Sequence, residues 1–232
     1  MRFAKNCFDV GLMINQGHFR LADWTDGIGL ELDHIIEVEG LVQHRFQIGG
    51  AVLKVNVAAE PLPSSPRTGF VSFVINGRRF GLRDGSPFPD GSAPTSTVLR
   101  QDGLHVEIAS PSVDRAMRFY IENLGLEEQD SATVRCGTGY LNFRVGETRG
   151  EPALIGTGMR YITLQVFDAD SACSEVVAKG GTLGREPVSY GDVARYGFVR
   201  DPDGNWIELS ARASVIANQG EVEPKSQESP TD

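Results

Sequence analysis

The chain has 232 residues, 40% of them hydrophobic, enough to bury a core in one large or two small domains. Its formal charge of −9, with Lys and Arg scattered along the sequence, lacks the clustered basic face that nucleic-acid binding needs. Cys7, Cys136 and Cys173 are odd in number and widely spaced, which fits reduced cytoplasmic thiols rather than a disulfide framework.

Arg2 and Lys5 precede an apolar run, but Asp9 interrupts it and no small-residue cleavage site follows. Neither a signal peptide nor a membrane span is therefore expected. From Phe8 to Ile14 the sequence alternates, with Val10, Leu12 and Ile14 on one face and Asp9, Gly11 and Met13 on the other, as in a half-buried strand. A helix-like stretch follows and stops at Gly29. Residues 42–48 and 51–57 then read as two strands. Gln43, His44, Arg45, Lys54 and Asn56 make a dense polar group on them, either a solvated sheet edge or an anion site with Arg45 or Lys54 as charge partner. Lys54 is expected to pair with Asp9.

The same order of elements recurs. Leu104 to Ala109 repeats the strand, and a helix from Ser112 to Leu124 carries apolar residues at helical spacing before stopping at Gly125. Without a gap, the two copies overlay Trp24 on Tyr120, Gly29 on Gly125 and Asp9 on His105. Strands at 132–136 and 140–145 complete the second copy. A third begins at Tyr161, has a helix capped by Asp168 or Asp170, and ends through Arg195 to Val199 and the 201–205 turn. A fourth, weaker copy is expected between Gly69 and Leu99, with Phe70 and Thr95 loosely at its site positions.

The 201–205 turn has a mechanism: Pro202 fixes φ, Gly204 tolerates a left-handed conformation, and the Asx side chains bond their own backbone. Trp206 to Ser210 alternates after it, which places Glu208 opposite Ile207 and Leu209.

Leu104-His105-Val106, the helix end Arg118 to Leu126 and the run Asp201 to Leu209 resemble the vicinal oxygen chelate superfamily of glyoxalase I, bleomycin-resistance proteins and extradiol dioxygenases. The resemblance is close over 103–212 and weaker over 5–98. It implies an α+β fold of two tandem glyoxalase-like domains, each a half-barrel with a curved mixed sheet built from paired βαβββ units. The expected divisions are a degenerate domain at 1–98, a site-bearing domain at 103–212 and a disordered tail at 213–232.

By that resemblance, His105, Asn142, Tyr161 and Glu208 converge in the second domain, and strand alternation puts all four on the polar face. His105 and Glu208 match the family's ligands for a divalent ion such as iron, manganese, zinc or nickel, with Tyr161 as a third ligand or a pocket-wall phenol. No histidine follows residue 105, so a facial triad of two histidines and one carboxylate cannot form there. Asn142, Arg144, Arg195, Tyr196 and Trp206 are the expected substrate contacts, the arginines for a carboxylate and the aromatics for a ring. Glu107, Gln165 and Tyr190 are further wall candidates.

The reading that follows is an enzyme for a small molecule with vicinal oxygens, the ion acting as Lewis acid and Tyr161, His105 and Glu208 as catalytic residues. The alternatives are a metal-free general acid and base, or a metal-free binding or resistance-type protein in which His105 and Glu208 bond each other. A homodimer is expected.

Overall fold

The computed structural model describes residues 1–83, 86–89, 91, 101–147 and 151–220. Residues 92–100, including Thr95 and Leu99 of the weak fourth copy, lie outside them, as does the chain after 220. No described helix is long and apolar enough to cross a membrane.

The first unit runs β1 (Phe3–Asn15), a π-helical turn Asp23–Ile28, β2 (Glu31–Val38), β3 (Leu41–Ile48) and β4 (Ala51–Ala58). The second supplies β5 (Phe70–Ile75), β6 (Arg78–Arg83) and β7 (Ser86–Pro89), with no helix among its described residues. The third has β8 (Leu104–Ser110), α1 (Val113–Arg118) continued by a π-helical turn to Asn123, β9 (Glu127–Asp130), β10 (Thr133–Cys136) and β11 (Gly139–Val145). The fourth has β12 (Gly158–Val166), α2 (Ala169–Ala178), β13 (Thr182–Tyr190), β14 (Ala194–Arg200) and β15 (Trp206–Arg212). Residues Ala213–Gly220 form a helix, α3. The expected disordered segment at 213–232 is therefore helical over its first part.

The strands form two curved mixed sheets. One has the order β13-β14-β15-β12-β1-β4-β3-β2, the other β7-β6-β5-β8-β11-β10-β9. In the first, antiparallel β1 and β12 meet with Val10 opposite Ile162. In the second, β5 and β8 meet with Phe73 opposite Val106. Unit one thus pairs with unit four, and unit two with unit three. The half-barrels do not coincide with the segments 1–98 and 103–212; each takes one unit from either segment.

Alternation explains which side of each strand enters the core. Val10, Leu12, Leu53, Val55, Ile162 and Ile207 are fully buried in one apolar cluster that also takes Phe73, Val106 and Ile108 from the other sheet. Trp24 and Tyr120, the overlaid residues of units one and three, both belong to it, and Trp24 stacks on Phe46 at 5.8 Å. Two helices begin at a side-chain cap: Asp168 accepts from the Ser171 N–H at 2.9 Å ahead of α2, and Ser112 accepts from the Arg115 N–H ahead of α1.

The 201–205 turn is an anchor between elements. Asp201 Oδ1 accepts from the backbone N–H groups of Asp203 and Asn205 at 2.9 and 2.8 Å. Its Oδ2 accepts from Asn205 Nδ2 at 2.7 Å and from the Tyr120 hydroxyl at 3.1 Å. Burial pushes the Asp201 carboxyl up to about 6, against those hydrogen bonds. The turn holds β15 in place and takes no part in the cavity described next.

Candidate active site

The concave face of the eight-stranded sheet carries the opposite parity of the same strands. Asp9 and Met13 on β1, Lys54 and Asn56 on β4, Tyr161, Thr163 and Gln165 on β12, and Glu208 and Ser210 on β15 are all buried. All of them except Asp9 and Thr163 line a cavity of about 740 Å³ including its open mouth. In register, Lys54 lies opposite Gly11 and Glu208 opposite Thr163, two parallel pairs flanking the central β1–β12 ladder.

At its centre the Lys54 ammonium donates to Thr163 Oγ1 at 2.7 Å and to Glu208 Oε2 at 2.8 Å. Thr163 in turn donates to the same Glu208 oxygen. Lys54 also sits 5.5 Å from the centre of the Tyr161 ring. That ring lies flat over Gly11, where an added Cβ would come within 2.2 Å of it. The phenol accepts from Asn56 Nδ2 at 3.2 Å, and burial, then the Glu208 charge, raise its pKa far above the usual range. Asp9 pairs with Lys5 at 2.6 Å and accepts from the Val52 N–H at 2.9 Å. Its carboxyl stays below the ordinary range: desolvation opposes this, and Lys5 and Lys54 outweigh it. Lys54 therefore bonds Glu208 and not the expected Asp9.

An aromatic wall stands beside this group. Phe198 meets Tyr161, Tyr196 and Trp206 edge-on at 5.7, 6.1 and 5.9 Å. The Tyr196 hydroxyl donates to Glu39 at 2.8 Å, and the Trp206 indole donates to the Pro152 carbonyl at 2.8 Å. Glu39, at the tip of the β2–β3 hairpin, is gripped by Arg185 of β13 through two bonds at 2.7 and 3.0 Å. Side chains thus join the two edges of the open sheet across the cavity mouth.

His105 is elsewhere. It lies on β8 of the seven-stranded sheet, fully buried, with Nε2 bonded to the Gln101 carbonyl at 3.1 Å and Nδ1 accepting from the Tyr140 N–H at 3.2 Å. Both ring nitrogens are committed to backbone, and burial lowers its pKa. His105 and Glu208 therefore do not meet, which corrects the expected pair: alternation put each on a polar face, but of different sheets. Asn142 also belongs to the seven-stranded sheet and donates to Thr133 Oγ1 at 2.9 Å. Glu107 there is ion-paired to Arg79. Arg144 is exposed on β11 of that sheet. Arg195 is exposed on β14 and holds Asp170 of α2. Of the expected site residues, Tyr161, Tyr196 and Glu208 line the cavity and Trp206 packs behind its Phe198 wall, and the wall candidates Gln165 and Tyr190 line it as well.

Thr163, Glu39, Arg185 and Arg212 were not among the expected site residues. Arg212 was findable, since 208, 210 and 212 share a strand face. The Glu39–Arg185 link joins distant strands and left no local signal.

A family model described as the Glyoxalase/Bleomycin resistance protein/Dioxygenase superfamily matches residues 104–209. A "Probable lactoylglutathione lyase" of Synechocystis sp. is 31% identical over 126 residues, 48% of this chain and 95% of that protein. The chain belongs to this superfamily. A second member, the "Probable lactoylglutathione lyase" of Vibrio parahaemolyticus, is 29% identical over 46% of this chain and 87% of its own length. The superfamily fold extends over nearly the whole molecule: glyoxalase I from Zea mays superposes with a TM-score of 0.65 over 94% of each chain at 15% identity.

Kinship with glyoxalase I supports a divalent metal in general terms and identifies none. The donors in this cavity do not fit one. The Lys54 ammonium holds the oxygen of Glu208 that would serve as ligand, Lys5 holds Asp9, the Tyr161 phenol is strongly protonated, and the expected imidazole ligand, His105, is in the other sheet. Among the described residues no group of three His, Cys, Asp or Glu could hold an ion.

Proposed function

We propose that the chain is an enzyme of the vicinal oxygen chelate type whose site lies in the eight-stranded half-barrel. It would bind a small molecule with adjacent oxygens and move a proton next to a carbonyl, with Lys54 in the electrostatic role of the family's metal. The bonding of Lys54 carries this reading. Two of its three N–H groups go to Thr163 and Glu208, and the third is left for a ligand oxygen on which negative charge develops. Both protein bonds to Glu208 fall on Oε2, so Oε1 can accept the proton. Kinship with proteins named lactoylglutathione lyase supports the reaction class.

A second reading, a metal-free binding protein, draws on the aromatic wall and the side-chain closure at Glu39, which suit retention of a ring-bearing ligand. A homodimer remains part of the proposal; β2 is an edge strand with Ile35 50% exposed.

The test is solvent deuterium incorporation, followed by NMR, into 2-oxoaldehyde hemithioacetals and hydroxy-carbonyl compounds with chelator present. Exchange that survives chelation and falls by about 10²-fold or more in Glu208→Gln supports the proposal. Exchange abolished by chelator sinks the role given to Lys54, and tight binding without exchange favours the second reading.

A further inference from the structure

Resting on the site proposed above, a charge imbalance points to its ligand. Lys54, Arg185 and Arg212 line the cavity with Glu39 and Glu208, while Arg45 bonds the lining Gln43 and Lys5 bonds Asp9, a neighbour of the lining Gln165: five cationic side chains against three carboxylates. This happens in a chain whose formal charge is −9. Lys5 is matched by Asp9, Lys54 by Glu208 and Arg185 by Glu39. Arg45 and Arg212 are left over.

Arg45 is buried, its Nη1 donates to Gln43 Oε1 at 2.7 Å, and its Nε has no hydrogen-bond partner. Arg212 lines the cavity, half-buried, with no ion pair among the described residues. Desolvation and then repulsion from Arg45 depress its pKa; Asp9 and Glu208 oppose this, but both already serve lysines. Two desolvated guanidiniums near each other without a counterion are costly, and a bound anion removes that cost. A third unsatisfied group stands in the same wall: Gln165 is 3% exposed, and its Oε1 is a buried acceptor without a donor. A simple anion would not satisfy it; a hydroxyl would.

We infer that the cavity takes a 2-hydroxycarboxylate group, its carboxylate held by Arg212 and balancing the buried charge of Arg45, and its hydroxyl donating to Gln165 Oε1. The rest of the ligand lies against Phe198 and Tyr196. A planar, forked guanidinium suits a carboxylate better than the lysines do. The group could belong to a free hydroxy acid or to a larger conjugate carrying the same chemistry.

Calorimetric titration of the full chain with 3-phenyllactate, its neutral amide and S-(2-carboxy-2-hydroxyethyl)glutathione, a thioether conjugate that keeps both the hydroxyl and the carboxylate, tests this. The acid is expected to bind roughly tenfold or more tightly than the amide, and Arg212→Gln is expected to erase that preference. Because Arg212 is half-exposed and unpaired, that variant should fold, which an unchanged melting temperature would verify. Whichever of the two anions binds with dependence on Arg212 identifies the source of the carboxylate. Glu208→Gln keeps the preference for acid over amide even where turnover is lost, so this inference and the proton-transfer reading fail separately. Equal binding of the amide, a preference that survives Arg212→Gln, or no saturation by either anion up to about 10 mM overturns the inference.

Discussion

Removing either member of the Lys54–Glu208 pair leaves the other charge buried and uncompensated, since the two residues are only 5% and 9% exposed. Such losses run to about 3–5 kcal/mol, so part of any activity lost in single variants is lost folding, and turnover must be counted per folded molecule. His105 presents the opposite case. Its nitrogens serve the Gln101 carbonyl and the Tyr140 amide, so it stabilises β8 and β11 and stands apart from the cavity. His105→Ala should cost about 1–3 kcal/mol through the unpaired backbone groups, with activity per folded molecule retained. The pH dependence has a definite sign. Because the folded-state pKa lies below the ordinary 6.5, the His105 contribution is fully present above pH 6.5 and is lost as pH falls through the depressed value. Thermal melts of wild type and His105→Ala should converge on acidification; a gap that widens would contradict the assignment.

The tip of the β2–β3 hairpin lines the cavity and is tied across its mouth by Arg185 and Tyr196. Its turn holds Glu39 at φ 50° and Gly40 at φ 79°, a two-residue geometry that costs a non-glycine residue some strain. That strain is offset by Arg185 and Tyr196, which together hold the Glu39 carboxyl below its usual range, Arg185 first. Glu39→Gln weakens the grip by removing the charge while keeping the shape. Stopped-flow measurements should show ligand entry and release both accelerated, with little change in melting temperature because the link is partly exposed. Unchanged rates would show that ligand enters by another route.

Across the whole molecule, the pairing of unit one with unit four makes the site a product of both ends of the chain. Asp9 and Lys54 come from the first unit, Tyr161, Thr163 and Glu208 from the fourth. A fragment of residues 101–220, which spans the family match, would lack Lys54 and expose the β1-facing edge of β12. It should bind no ligand and self-associate, as sedimentation and calorimetry would reveal; a monomeric fragment with intact binding would contradict this architecture. Much of the site was legible in the sequence, because period-two alternation put Asp9, Lys54, Tyr161 and Glu208 on polar strand faces and the Gly29 and Gly125 helix ends marked the units. Which unit pairs with which was not legible. Units one, three and four share one pattern, and the partner of a strand is chosen by long-range packing that no local spacing records. His105 therefore looked equivalent to a cavity residue while its face belongs to another sheet.

The most direct test sets two variants side by side: turnover per folded molecule, with chelator present, of Glu208→Gln and His105→Asn. Collapse of activity in the first and its retention in the second is the predicted result. Retention in Glu208→Gln with collapse in His105→Asn would move the chemistry to the seven-stranded sheet and contradict the account.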